Sequence, residues 1–159
     1  MVKEKYKLKP FNKSIDFYYN GWREKGKGYI EKSQIRKNID WIADYKILFP
    51  KAWGTGNSNK DWISPFITEP NSCCTETYLV IGPMKDINKV KNILSYMETK
   101  FFHFFVSLIK NTQNAMKKVY SLVPLQDFTQ EWTDEKLYKK YGLTKEEIDF
   151  IESMIRPME

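Results

Sequence analysis

The sequence predicts a mixed α+β (α/β) domain, with a mixed, largely antiparallel sheet, two consecutive flanking helices and a small helical tail. Three observations predict it. Short apolar runs of strand length recur at Ile15 to Tyr19, Tyr45 to Phe49, Tyr78 to Ile81 and Val119 to Val123, and each stops at a turn former or proline. Between the last two runs the apolar period changes from strand to helix. The chain then ends on two short stretches that carry helix start and stop signals.

In chain order, residues 1–13 alternate lysine with Val2, Tyr6, Leu8 and Phe11 before and after Pro10, which reads as an arm or edge strand. Asn20-Gly21 after the first apolar run is a tight-turn signal, and Trp22 begins the return. Gly26-Lys27-Gly28 breaks the next stretch, and Ser33 can cap a short helix bearing Ile35, Ile39 and Ile42. Pro50 stops the Tyr45–Phe49 strand. Residues 51–77 are rich in Gly, Asn, Ser and Pro with Trp53, Trp62 and Phe66 interspersed, which predicts a long loop ordered by aromatic anchors.

After Gly82-Pro83, a helix from Asp86 to Glu98 carries Ile87, Val90, Ile93, Leu94 and Met97 on its apolar side. Thr99 caps a second helix through Phe101, Phe102, Phe104, Phe105, Leu108 and Ile109, apolar nearly all round and therefore central to the core. Val119 to Val123 is expected as the last strand. In the tail, Thr133 starts a helix that Gly142 stops, and Thr144 with Glu147 forms a capping box for a helix presenting Ile148, Ile151 and Ile155.

Composition bounds the class. The 159 residues are 42% hydrophobic and 16% aromatic, enough to fold a core. No apolar run is long enough to span a bilayer and no secretory leader is read, so a cytoplasmic location without membrane contact is expected. Two adjacent cysteines, Cys73 and Cys74, suit reduced thiols. Net charge is +6 but unevenly spread: residues 1–60 hold 14 basic and 6 acidic groups, whereas residues 131–159 hold 5 and 8. A basic front half attracts a polyanion or merely aids solubility, and charge alone leaves both open.

Catalytic signals are weak. There is no Pro-Pro dipeptide for an adenine-holding motif, and Gly54-Thr55-Gly56 lacks the strand-to-helix setting of a cofactor turn. Asp86 with Glu98-Thr99-Lys100 has the spacing of a magnesium-dependent nuclease, but both ends fall at helix boundaries and read as caps and surface charge. His103, the only histidine, reads as a partly exposed or hydrogen-bonded helix position, and one His with two adjacent Cys cannot close a zinc site. No catalytic residue and no metal ligand is assigned.

Base reading is better supplied. Asn and Gln present donor and acceptor together for base edges, while Lys, Arg, Ser and Thr hold phosphates. The first polar excursion, Lys51 to Lys60, contains Thr55, Asn57, Ser58 and Asn59 between its two lysines. The second, Lys110, Asn111, Gln113 and Asn114 with Lys117, is similar in kind. Arg23, Lys25 and Lys27 beside the Asn20-Gly21 turn form a third basic patch. Loops are polar and lysine-flanked in most proteins, so solvated turns are the plain alternative for any one residue. Trp53 reads as an anchor of its own loop, with a wedge against DNA as the alternative.

Two segments, Ser72-Cys73-Cys74-Thr75-Glu76-Thr77-Tyr78-Leu79-Val80-Ile81 and Lys118-Val119-Tyr120-Ser121-Leu122-Val123-Pro124-Leu125-Gln126-Asp127-Phe128, run from a polar approach into an apolar stretch. With the ending Trp132 to Thr144 and Glu146-Glu147-Ile148, their order and wording resemble the C-terminal target-recognition domain of bacterial type II restriction-modification adenine-specific DNA methyltransferases, including fused restriction–methylation enzymes. The resemblance spans roughly residues 29–157 as a long string without a short motif. It implies sequence-specific binding of double-stranded DNA by residues 1–130, with residues 131–159 a tail that packs on them or docks a partner. It also implies a methyltransferase catalytic module or subunit that would bind S-adenosylmethionine and flip the target base, this chain alone being non-catalytic. A magnesium-dependent nuclease and a nonspecific nucleic-acid or protein-interaction module are the alternative readings.

Overall fold

A computed structural model describes residues 6–52, 63–109 and 117–155, without the side chain of Lys117. The strands are β1 (Ser14–Tyr18), β2 (Gly28–Glu31), β3 (Tyr45–Pro50), β4 (Phe66–Thr68), β5 (Ser72–Cys74) and β6 (Tyr78–Met84). They form two three-stranded sheets, ordered β2-β1-β5 and β4-β3-β6. All pairings are antiparallel except β1 with β5. The chain therefore leaves the first sheet for β3 and β4, returns for β5, and crosses back for β6.

Side-chain alternation decides what each strand faces. On β1, Ile15 and Phe17 enter a cluster with Tyr19, Ile30 and Ile42. Tyr18, on the other face, meets Trp22 edge-on at 5.0 Å and Phe66 at 5.3 Å. Phe66 also meets Tyr78 at 5.8 Å, so an aromatic seam joins the two sheets. On β3, Lys46 to Phe49 are all buried, as suits a strand covered on both faces. The Lys46 amine donates to the carbonyls of Trp41 (2.9 Å) and Asp44 (2.6 Å), and burial lowers its pKa.

The larger core lies under the second sheet. Helix α2 (Ile87–Met97) packs on β3, β4 and β6 and places Val90, Ile93, Tyr96 and Met97 inward. Asp86 caps it, accepting from the Asn88 amide at 2.8 Å. Helix α3 (Lys100–Ser107) starts at Thr99, whose hydroxyl accepts from the Phe102 amide, and buries Phe101, Phe102, His103 and Val106.

Helices α4 (Asp134–Tyr141) and α5 (Lys145–Met154) pack on α3, with Leu137, Tyr138 and Ile151 joining the same cluster. Burial of Leu137 alone is worth roughly 1.5–3 kcal/mol. Gly142, at φ 62°, ends α4 in the left-handed region, and both halves of the Thr144–Glu147 capping box are made. Asp134 accepts from the amides of Lys100 (3.0 Å) and Phe101 (2.8 Å), so an α4 carboxylate caps α3.

The mixed fold, the two consecutive helices and the helical tail are as predicted, but the sheet is divided in two. Other expectations need correction. Residues 119–123 form no strand: Lys117–Tyr120 is a 3-10 turn, continued by Ser121 N–H to Lys118 O and Val123 N–H to Tyr120 O. Val119, Tyr120 and Val123 pack inward from one side of that turn, which produces an apolar run without strand pairing.

The expected loop 51–77 contains β4 and β5, each too short to stand out between prolines. The return after Gly21 is a single helical turn, α1 (Trp22–Lys25), before β2 begins. No α-helix follows Ser33. Lys32–Gln34 and Ile39–Ala43 are 3-10 turns split by Asn38 at φ 53°, and Ile39 is exposed. Strand β6 runs past Gly82-Pro83 to Met84 across a cis peptide. The arm is held by a bridge between Lys7 and Tyr29.

Candidate nucleic-acid interface

The first excursion connects neighbouring antiparallel strands, since Ile47 pairs with Ile67 and Leu48 with Phe66. Its outgoing stem is Phe49 to Ala52 and its returning stem begins at Ile63. The second excursion leaves from the end of α3 and returns at Lys117. Phe49, Ile63, Val106 and Val119, one from each stem, are buried in a single apolar cluster. Phe49 meets Tyr120 edge to face at 5.5 Å. Beside this junction lies an apolar cavity of about 370 Å³, lined by Phe49, Ile81, Met97, Phe102 and Tyr120 among others. Among the described residues that line it none is charged.

The third patch reaches the first stem. The Arg23 guanidinium, exposed, lies over the rings of Trp22 (5.6 Å) and Phe66 (5.3 Å) and donates to the Ser64 carbonyl at 3.4 Å. A guanidinium stacked on aromatic faces is pre-positioned and keeps its other N–H donors toward solvent. Lys25 is exposed on the same helical turn, and Lys51 on the outgoing stem is half-buried, its amide bonded to the Thr77 carbonyl. Lys27 differs. Its amine pairs with Asp16 at 2.5 Å, and that hydrogen bond raises its pKa. It holds β1 and β2 together more than it faces a ligand.

Among the predicted contacts, Thr55, Asn57, Ser58, Asn59 and Lys60, and Lys110, Asn111, Gln113 and Asn114, lie outside the described residues, as do Trp53 and the side chain of Lys117. Arg23, Lys25 and Lys51 remain as the described part of the site. The platform of Trp22 and Phe66 under Arg23 was missed by sequence reasoning. Its signal was available in the aromatic residue adjoining Arg23 after a turn and in Phe66 next to Pro65. Glu146 and Glu147 share a groove with Phe104 and Phe105 of α3, the helix from which the second excursion leaves.

The groups considered for catalysis are scaffold. Asp86 and Glu98 cap opposite ends of α2, about 18 Å apart along its axis, too far to share an ion. Lys100 is paired with Glu152. His103 is a buried, hydrogen-bonded helix position, the second of the two expected alternatives. Burial drives its pKa down to about 3, opposed by a hydrogen bond with the Met97 backbone, so the ring is neutral. Among the described residues no group of three or more His, Cys, Asp and Glu is arranged to hold a metal, and no helix is long and apolar enough to cross a membrane. No family model, curated protein or solved structure matches the chain.

Proposed function

We propose that the chain binds duplex DNA sequence-specifically, as the target-recognition domain of a restriction-modification adenine methyltransferase, acting with a methyltransferase catalytic module or subunit. The observation that carries this reading is the convergence of both excursion stems on one buried cluster, with the stacked Arg23 beside the first. A rigid framework presenting polar, lysine-bounded connections is the arrangement by which loops read base edges. Arg23, Lys25 and Lys51 serve as phosphate contacts that fix register. The Asn-rich segment between Lys51 and Lys60 reads bases. Glu146 and Glu147 against α3, from which the second excursion leaves, shift the weight to the first.

Methyl transfer would come from the partner module, which would hold S-adenosylmethionine and the extruded adenine. The test is selection from a random duplex library at near-physiological salt, followed by affinity measurement on the enriched sequence. Enrichment of a short defined motif is expected, with Arg23→Ala weakening all sequences together and Asn57→Ala relaxing preference at one position. Uniform binding of every duplex would make the chain a nonspecific module, and no binding at all would remove the reading.

A further inference from the structure

The face built by α3 and α5 carries apolar surface that the described residues leave exposed. Helix α5 has two apolar stripes. Ile148 and Ile151 face the core, whereas Phe150 and Met154, one turn apart, are 56% and 55% exposed. A surface helix normally keeps one such stripe, and a second, contiguous with neighbouring apolar groups, marks an interaction site. Phe150 meets Phe104 of α3 edge to face at 6.0 Å. The contacts Lys100–Glu152 and Phe104–Phe150 run in opposite order along the two helices, so α3 and α5 are antiparallel. Between them lies a groove of about 360 Å³ with Phe101, Phe105 and Ile151 in its lining and Glu146 and Glu147 at its rim.

Charge says what fits there. Helix α5 holds Glu146, Glu147, Asp149 and Glu152 against Lys145 alone, in a protein whose net charge is +6. Glu152 is engaged by Lys100 and Tyr138, and Glu147 by the Thr144 amide. Glu146 lines the groove with Phe150, and Asp149 is the exposed chain neighbour of Phe150; neither forms such an ion pair among the described residues. We infer that this groove docks a basic amphipathic helix of a partner protein, its apolar stripe on Phe104 and Phe150 and its Lys or Arg residues against Glu146 and Asp149. A groove between two antiparallel helices suits the helix-in-groove mode, and α5 is about 15 Å long, enough for anchors at i, i+4 and i+7.

A second copy of the chain is a poor occupant. Two α5 faces would set like charges against each other, and the basic half of the chain offers, among the described residues, only the single turn α1 and short 3-10 turns as helices. This inference does not depend on the DNA reading.

The test titrates the full chain with two fluorescent synthetic helical peptides of about 14 residues, one Leu/Lys and one Leu/Glu with the same leucine spacing, at physiological salt. The Lys peptide is expected to bind about tenfold or more tighter than the Glu peptide despite the basic charge of the whole protein. Phe150→Ser, and separately Glu146→Lys with Asp149→Lys, are each expected to weaken it by about tenfold while the melting temperature and any duplex-DNA affinity hold. Equal binding of both peptides overturns the proposal, as does an unchanged affinity in Phe150→Ser. Sedimentation showing self-association that Phe150→Ser abolishes would overturn it in favour of a second copy.

Discussion

Phe49 and Tyr120 meet edge to face with ring centroids 5.5 Å apart, which ties the strand leading into one polar excursion to the turn that closes the other. The residues are 71 positions apart in sequence, and neither excursion can shift its base without disturbing the other. Edge-to-face pairs contribute about 0.5–1.5 kcal/mol beyond area burial. A double-mutant cycle with Phe49→Leu and Tyr120→Leu in urea denaturation should return a coupling of that size. Additive losses would mean that the two stems are energetically independent.

Arg23 is held by stacking as much as by its bond to Ser64. Arg23→Lys keeps the charge but loses the planar group that lies on Trp22 and Phe66. The expected result is weaker duplex binding for both Arg23→Lys and Arg23→Ala. In Arg23→Ala the slope of log affinity against log salt should also shrink by about one. Stability should change by less than about 1 kcal/mol in either variant, since the side chain is exposed.

His103 makes the fold sensitive to acid. Its folded pKa, about 3, lies below the ordinary value near 6.5, so the unfolded chain binds the proton first as pH falls. The stabilisation is complete above pH 6.5 and is lost progressively from there down towards pH 3. Between pH 6.5 and 5 the loss from this one group should approach about 2 kcal/mol. His103→Gln should flatten that part of the stability–pH curve in urea titrations, whatever it costs at neutral pH. An unchanged slope would show that the imidazole is not kept neutral.

Asp134 links the tail to the core by capping a helix other than its own. Burial raises its pKa, against the lowering effect of the amides of Phe101 and Lys100. Asp134→Ala removes both acceptors and should cost about 1–3 kcal/mol in thermal or chemical denaturation. Asp134→Asn keeps one carbonyl acceptor and should cost less. Equal losses would assign the effect to charge in place of hydrogen bonding.

What the sequence disclosed was what local chemistry decides. Asp86, Thr99, Thr133, Gly142 and the Thr144–Glu147 pair mark helix ends because caps act within three or four residues. Strand β5 could not be read that way, because Ser72 is a strand residue only through its pairing with Asp16 far along the chain. The run at 119–123 misled for the opposite reason: its apolar residues pack, but their amides close a tight turn. In the site, the basic character of Arg23 was legible, yet its contact with Ser64 spans 41 positions and needed the folded chain.

The register of β3 with β4 has one more implication. The connection between the buried Phe49 and the buried Ile63 departs from and rejoins the ladder beside the pair Leu48–Phe66, so its length can change without moving the register. Doubling such a connection adds only about 0.6 kcal/mol of closure entropy. Insertions, deletions or wholesale replacement there would leave the ladder intact, and the molecule could acquire new preferences over generations without renegotiating how it folds.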